Sequence, residues 1–330
     1  MKEVLLTVTI ATYNVDKFIS ESIESILNQS FQDFEIICID DGSHDNTVSI
    51  LQEFANKDRR VKVIAKKVNQ GLAVARNESL ALATGTYVMF LDGDDIYDIT
   101  LFEKAIAVAE KDSSDMVLWD YVSFYENHQI QKLKEQPSDL IGFNVKDKIA
   151  LLKRPSFTWV KLLRTQKIKE MGIHFPVGLT RQDIPVHWHL VTKLDQISIL
   201  PERLAYYRQQ PDATTAKKDK KLFHLAFVMD IVQKYLKDNQ LYDLYRSTFL
   251  DQQINFLAGM YDNIKKEYKA EALVLIKDRM KPEHFLYLNE KNGLRQQTKY
   301  FFAAMNGSLK AKLQMQMWYI SRAIFRKIKS

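Results

Sequence analysis

The residues best suited to chemistry close an apolar run that begins at Tyr87 and ends in Leu91-Asp92-Gly93-Asp94-Asp95. Two carboxylates one residue apart, with a glycine between them so that backbone can approach closely, are hard oxygen ligands for a divalent cation that also carries phosphate. The same residues also make an ordinary polar turn, since Asp and Gly dominate turns. An EF-hand loop does not fit, because Ile96 and Tyr97 stand where that loop needs a ligand and its glycine. Further candidates are Asp41 in Asp40-Asp41-Gly42-Ser43, Arg76 in Ala75-Arg76-Asn77, and Asp183 two residues before Pro185.

These residues must be carried by elements that bring them together. Leu5 to Ile10 reads as a strand running into the polar turn Ala11-Thr12-Tyr13-Asn14, and Phe18, Ile19, Ile23, Ile26 and Leu27 then recur at helical spacing. The cycle repeats as a strand at 34–39, the turn at 40–43 and a helix over about 46–54, with Ser43, Asp45 and Asn46 as capping candidates. A strand at 61–65, Asn69-Gln70-Gly71, a helix of small residues at 72–83 and the strand at 87–91 follow. Alternating strands and helices with short turns predict an α/β fold with a mostly parallel, Rossmann-like sheet, and the polar turns then share one edge. Asp41, Arg76 and Asp94 could converge there.

Four stretches in order, Ala11-Thr12-Tyr13-Asn14, Asp40 to Thr47, Asn69-Gln70-Gly71 with Ala75-Arg76-Asn77, and Leu91-Asp92-Gly93-Asp94-Asp95, resemble the successive motifs of the family 2 glycosyltransferases of GT-A fold. The resemblance is firm over residues 4 to 125, thinner to about 215 and absent beyond. It implies a nucleotide-sugar site in which Ala11, Thr12 and Tyr13 border the base, Asp41 accepts the uracil imide N–H, and Asn69 and Arg76 line the nucleotide. It further implies that Asp92 and Gly93-Asp94 form the metal-binding motif, with Asp94 the direct ligand of Mn²⁺ or Mg²⁺ and Asp92 its partner. Such an ion offsets the charge growing on a departing diphosphate.

Past the donor half, 116–125 reads as a strand and 126–139 as a polar connection. Phe157-Thr158-Trp159-Val160-Lys161-Leu162-Leu163 resembles the family's Trp-x-Lys-Leu segment, where Trp159 is either a core aromatic or a sugar-stacking platform. Pro185 belongs in the first turn of a helix, which makes Asp183 close to that helix's N-cap. Asp183 matches the family's general base, whereas Gln182 stands where the family usually has Glu. His187, one turn on, is either a packed histidine or one that touches acceptor or metal. Ile197 to Leu200 and Arg203 to Arg208 read as two short strands; Tyr207-Arg208 resembles a family element that closes over the donor, which makes Arg208 a candidate clamp on the diphosphate and the polar, Lys-rich 209–221 a candidate lid. Helical spacing resumes at Leu222, giving a GT-A catalytic domain over 1–215 (nucleotide-sugar half 1–125, acceptor half 126–215) and a helical appendage over 216–330.

Composition narrows the remaining possibilities. The 330-residue, 38.5 kDa chain is 46% hydrophobic and can bury a sizeable core. Its single cysteine, Cys38, excludes an intrachain disulfide and suits a reducing, cytoplasmic compartment. No charged leader precedes a long apolar core, and no stretch reaches the roughly 18 apolar residues of a membrane span. The net charge is +6 with a pI near 9.0, yet Lys291, Arg295, Lys299, Lys310, Lys312, Arg322, Arg326, Lys327 and Lys329 follow Glu290 with no acid among them. The basic character therefore belongs to the tail, and without interleaved aromatics it does not describe a nucleic-acid platform. Residues 313–329 form a basic amphipathic pattern that suits an anionic membrane surface at the inner face, or a second subunit.

The expected activity is inverting transfer of a sugar from a nucleotide-diphosphate donor, UDP-linked, to a hydroxyl of a cell-surface glycan. The rival expectation is a nucleotide-sugar-binding scaffold protein without strong catalysis, to which the Gln182 departure points.

Overall fold

The computed structural model describes residues 4–126, 129–210, 218–290, 293–305 and 307. The chain divides into two compact units, Met1–Ala216 and Lys217–Ser330.

In the first unit strands and helices alternate as β1 Leu6–Thr12, α1 Ile19–Leu27, β2 Phe34–Asp40, α2 Thr47–Lys57, β3 Val61–Ala65, α3 Leu72–Leu82 and β4 Tyr87–Asp92. β1 pairs in parallel with both β2 and β4, and β2 with β3. Every residue of β2 is buried, as a near-continuous apolar run demands of a strand covered on both faces. Leu6, Val8, Ile10, Ile36 and Cys38 pack with Ile19, Ile23 and Ile26 of α1 and Leu51 of α2. On the opposite face Ile37 and Ile39 meet Ala75 of α3, whose short side chain lets that helix lie close to the sheet. Cys38 is a core residue, and burial pushes its thiol up to about 12.

The remainder of this unit adds β5 Ile96–Tyr97, α4 Leu101–Asp112, β6 Met116–Phe124, α5 Ile130–Lys134, α6 Lys148–Leu152, β7 Lys161–Arg164, α7 Thr165–Glu170, α8 Asp183–Lys193 and β8 Ile197–Arg208. The sheet order is β3-β2-β1-β4-β7-β6-β8-β5. The sheet is mixed, because β7 runs antiparallel between β4 and β6, and β5 antiparallel to β8. The two short strands expected at 197–200 and 203–208 are one strand. Leu200 lies opposite Trp119 and Arg203 opposite Asp120, so Pro201 and Glu202 bulge out of the ladder, as a proline without an N–H requires.

The second unit is helical: α9 His224–Asp238, α10 Tyr242–Asn263, α11 Lys269–Arg279, α12 Pro282–Leu288 and α13 Gln296–Met305. Met229, Val232 and Leu236 of α9 and Phe249, Ile254 and Leu257 of α10 are buried. Buried polar groups here are paired, with Tyr287 Oη donating to Asp251 at 2.9 Å and His284 Nε2 2.8 Å from Gln253 Oε1. The basic segment 313–329 lies outside the described residues, as does most of 209–221. No helix among the described residues is long and apolar enough to cross a membrane.

Candidate functional site

The sheet register creates the site. Thr12 pairs with Asp40 and Ala11 with Asp92, so the ends of β1, β2 and β4 are level. The chain order reverses between β1 and β4, the switch point at which open α/β sheets take their ligands.

On the β1/β2 side, Asp40 is the turn organiser: its carboxylate accepts Gly42 N–H at 3.1 Å, Ser43 N–H at 2.8 Å and Thr12 Oγ1–H at 3.0 Å. Asn14, at φ 53°, accepts His44 N–H at 2.9 Å, tying the Thr12–Asn14 turn to the turn after β2. Tyr13 stands beside His44, 44% exposed, as a base-stacking ring would be. Asp41 is 3% exposed, and its oxygens accept the N–H groups of Gln70 (3.0 Å) and Gly71 (2.6 Å), with Lys66 Nζ 3.4 Å away. Asp41 thus anchors the 69–71 turn, leaving Asn69 exposed at its tip. Helix α2 starts at Thr47, and of the three capping candidates Asp45 serves it, accepting Thr47 N–H at 3.0 Å.

At the end of β4, Gly93 sits in a tight place: a Cβ there would lie 2.9 Å from Ile19 Cδ1 and 3.2 Å from Thr12 Cγ2, so the Ile19 side chain would have to move aside. β5 turns the chain immediately after the acidic run into a ladder with β8, Ile96 opposite Tyr206. That pairing delivers Arg208, whose backbone N–H reaches Asp95 Oδ1 at 2.8 Å and whose Nε reaches the Asp94 carbonyl at 2.9 Å. Its guanidinium also pairs with Glu21 at 2.5 Å. Gln210 Nε2 donates to Asp94 Oδ2 at 3.0 Å.

The carboxylates repel one another. Burial first, and then the Asp92 charge, pushes the Asp94 carboxyl up to about 6; burial and both neighbours raise Asp95 as well. Asp95 Oδ2 is buried without a hydrogen-bond partner. This excess of negative charge with an orphaned oxygen fits a divalent cation. Among the described residues no three His, Cys, Asp or Glu side chains are arranged to hold a metal by themselves.

Arg76 is 3% exposed. One terminal nitrogen binds Asp92 Oδ1 at 2.9 Å and the other Asp183 Oδ1 at 2.6 Å. Asp183 is the first residue of α8, one place inside the helix from the expected cap, and Pro185 does fall in the first turn. Its side chain is 17% exposed. Arg76, Asp92 and Asp183 therefore meet, while Asp94, two positions after Asp92, forms a second group with Arg208.

Other candidates are absorbed by the core. His187 is buried, with Nε2 donating to the Leu151 carbonyl at 3.0 Å; burial and then the Lys161 charge push its ring down to about 3. It is a packed histidine. Trp159, 2% exposed, stacks on Phe157 at 4.8 Å and meets Tyr121 edge-on, so it offers no free face to a sugar. Gln182 is buried, with its Oε1 unpartnered.

Lys161, in the Trp-x-Lys-Leu segment, carries no local sign of being an unusual ionisable group. On β7 it is fully buried, its Nζ bonded to the carbonyls of Ser156 and Phe157. Burial pushes the amine down to about 7, with Asp183 opposing and Arg76 reinforcing the shift. The unfolded chain holds that proton up to about pH 10.4 and the folded chain releases it near 7, so between these values the unfolded state binds more protons and stability rises with pH. Urea unfolding at pH 7 and pH 9 is expected to show a rise of up to about 1.4 kcal/mol per pH unit, and Lys161→Met to flatten it. An unchanged slope in Lys161→Met would reassign the effect.

Residues 7–183, just over half of the chain, match the family described as glycosyl transferase family 2. The chain is 28% identical over 221 residues to the uncharacterized glycosyltransferase EpsJ of Bacillus subtilis, covering 64% of this chain and 63% of that one, under two thirds of the relative's length. It is 25% identical over 282 residues to glycosyltransferase GlyG of Streptococcus pneumoniae, covering 80% and 88%. Among solved structures it is similar in fold to residues 1–349 of Staphylococcus aureus TarS in complex with UDP-GlcNAc (22% identity, TM-score 0.66, covering 83% and 80%). It is likewise similar in fold to the mannosyltransferase PcManGT of Pyrobaculum calidifontis in complex with GDP-Man and Mn²⁺ (15% identity, TM-score 0.58, covering 98% and 87%).

Proposed function

We propose that this chain, which belongs to glycosyl transferase family 2 and has the GT-A fold, moves a sugar, with inversion, from a UDP-linked donor to a hydroxyl of a cell-surface glycan. One observation carries this reading: a single buried guanidinium spans Asp92, at the donor end of β4, and Asp183, at the head of α8. A carboxylate suited to a general base is thereby held beside the carboxylates suited to a metal diphosphate, as one in-line displacement needs.

In this reading the base of the nucleotide lies against Tyr13, Ala11 and Thr12, and Asp41, which also holds the 69–71 turn, accepts the uracil imide N–H. Asp94 is the direct ligand of Mn²⁺ or Mg²⁺, with Asp92 as its partner; when bound, the ion would neutralise charge developing on the diphosphate. Arg208, fixed at the Asp94 carbonyl, borders the same place. Asp183 takes the proton from the acceptor hydroxyl, which makes that oxygen a better nucleophile at the moment of attack. The UDP preference is supported by the TarS complex, whereas the GDP-Man complex of the archaeal neighbour shows that the shared fold accommodates another base. The cell-surface acceptor is supported by the resemblance alone.

A panel of UDP- and GDP-sugars with Mn²⁺, read by release of free nucleotide, tests this. UDP release from one or more UDP-sugars is the expected result. Release only from GDP-sugars would correct the donor, and tight UDP binding with no release in the presence of glycan extracts would favour the scaffold reading.

A further inference from the structure

We propose that Arg76 is a positioning residue that locks the base to the donor side of the site, and that it does not serve as a phosphate ligand. The inference rests on the reading of Asp183 as the base. The resemblance places Arg76 among residues lining the nucleotide, and a guanidinium is well shaped for phosphate oxygens. Its surroundings argue otherwise. A phosphate ligand must present its N–H fork to an open pocket, yet the Arg76 side chain is 4% exposed and each terminal nitrogen already directs one N–H to a carboxylate. Those carboxylates come from different halves of the unit, Asp92 from the end of β4 and Asp183 from the start of α8.

The arginine is itself held. Its guanidinium lies 5.5 Å from the Phe175 ring, and the neighbouring Asn77 bonds the Phe175 backbone in both directions, Nδ2 to the carbonyl at 2.9 Å and N–H to Oδ1 at 2.8 Å. Helix α3, Phe175 and the two carboxylates thus form a rigid frame around one cation. With Oδ1 of Asp183 tied to Arg76, the carboxylate cannot rotate freely, and Oδ2 is the oxygen left for the acceptor hydroxyl. A short base on the first turn of a helix reaches a hydroxyl only if its rotamer is fixed, and an error of about 1 Å in such a placement costs about 100-fold in rate. The shared bond to Asp92 also makes the base sensitive to whether the donor side is assembled. Removing Arg76 would leave two neighbouring carboxylates without their common counter-charge.

The test compares Arg76→Ala, Arg76→Lys and Asp183→Asn with the wild-type chain in two measurements. Calorimetry gives the affinity for UDP with Mn²⁺, and nucleotide release gives the hydrolysis of UDP-glucose, UDP-galactose and UDP-GlcNAc. The expected result for Arg76→Ala is unchanged UDP affinity, hydrolysis slower by about 100-fold, and partial recovery on adding guanidinium below denaturing concentrations. Arg76→Lys keeps the charge and guards against a folding defect; it is expected to bind UDP normally and still hydrolyse slowly, because an ammonium cannot bridge both carboxylates in one plane. UDP affinity falling in step with the rate in either variant would make Arg76 a phosphate ligand and overturn the proposal, as would an undiminished rate in Arg76→Ala. Wild-type hydrolysis by Asp183→Asn would instead remove the base assignment, and the positioning role with it.

Discussion

Asp183→Asn is expected to bind UDP and Mn²⁺ as the wild-type chain does and to transfer sugar about 10²–10⁴ times more slowly. The substitution preserves shape, and the amide oxygen can still accept the Arg76 hydrogen bond made by Oδ1 at 2.6 Å. What it removes is the ability to take a proton from the acceptor. Because the amide keeps the Arg76 bond, Arg76 keeps its bond to Asp92 on the donor side, and nucleotide binding has no reason to change. A drop in turnover with unchanged affinity is the signature of an interaction made only in the transition state. The comparison is made by calorimetry with UDP and Mn²⁺ alongside nucleotide release from the active donor, and full turnover by Asp183→Asn would require another base.

Asp94→Ala is expected to fail earlier, at binding. A metal clamp on phosphoryl oxygens is worth several kcal/mol, so loss of its ligand should weaken Mn²⁺-dependent UDP binding by about 100-fold or more, each 1.4 kcal/mol being a factor of ten. Chelation of metal from the wild-type chain should reproduce that loss. The same substitution is expected to leave the melting temperature in metal-free buffer unchanged or raised, since Asp94 is pushed up to about 6 by burial and by Asp92, and its removal relieves both. Loss of binding without loss of stability separates this role from a structural one. Undiminished Mn²⁺-dependent UDP affinity would detach the acidic cluster from the donor site.

Much of the donor side is legible in local pattern. β3 spans 61–65 as expected, and β4 overshoots the expected end by one residue, Asp92 itself. Strand ends, helix starts and tight turns are written in neighbouring residues, through alternation and spacing. The acceptor side reads less well, because its elements are short and their pairings are distant. β7 has four residues, too few for a period, and its antiparallel place between β4 and β6 is set by which edges remain open once the parallel half has formed.

The division follows the range of the forces involved. Sequence by itself determined the alternating order of strands and helices, the polar turns at the strand ends, the acidic run after Leu91 and the candidacy of Asp183, because each depends on residues within one turn or one strand. Only the tertiary structure decided what those groups do to one another. Arg76 reads as a surface or phosphate-facing arginine until α8 brings Asp183 to it from 107 positions away. Arg208 reaches Asp95 across 113 positions through the β5–β8 ladder. Lys161 becomes a buried amine because β7 enters the sheet, and Trp159 becomes core because Tyr121 and Phe157 close on it. Spacing along a chain cannot encode which carboxylate shares a guanidinium, since that choice is made by helix and strand packing and by the cost of leaving a buried charge unpaired.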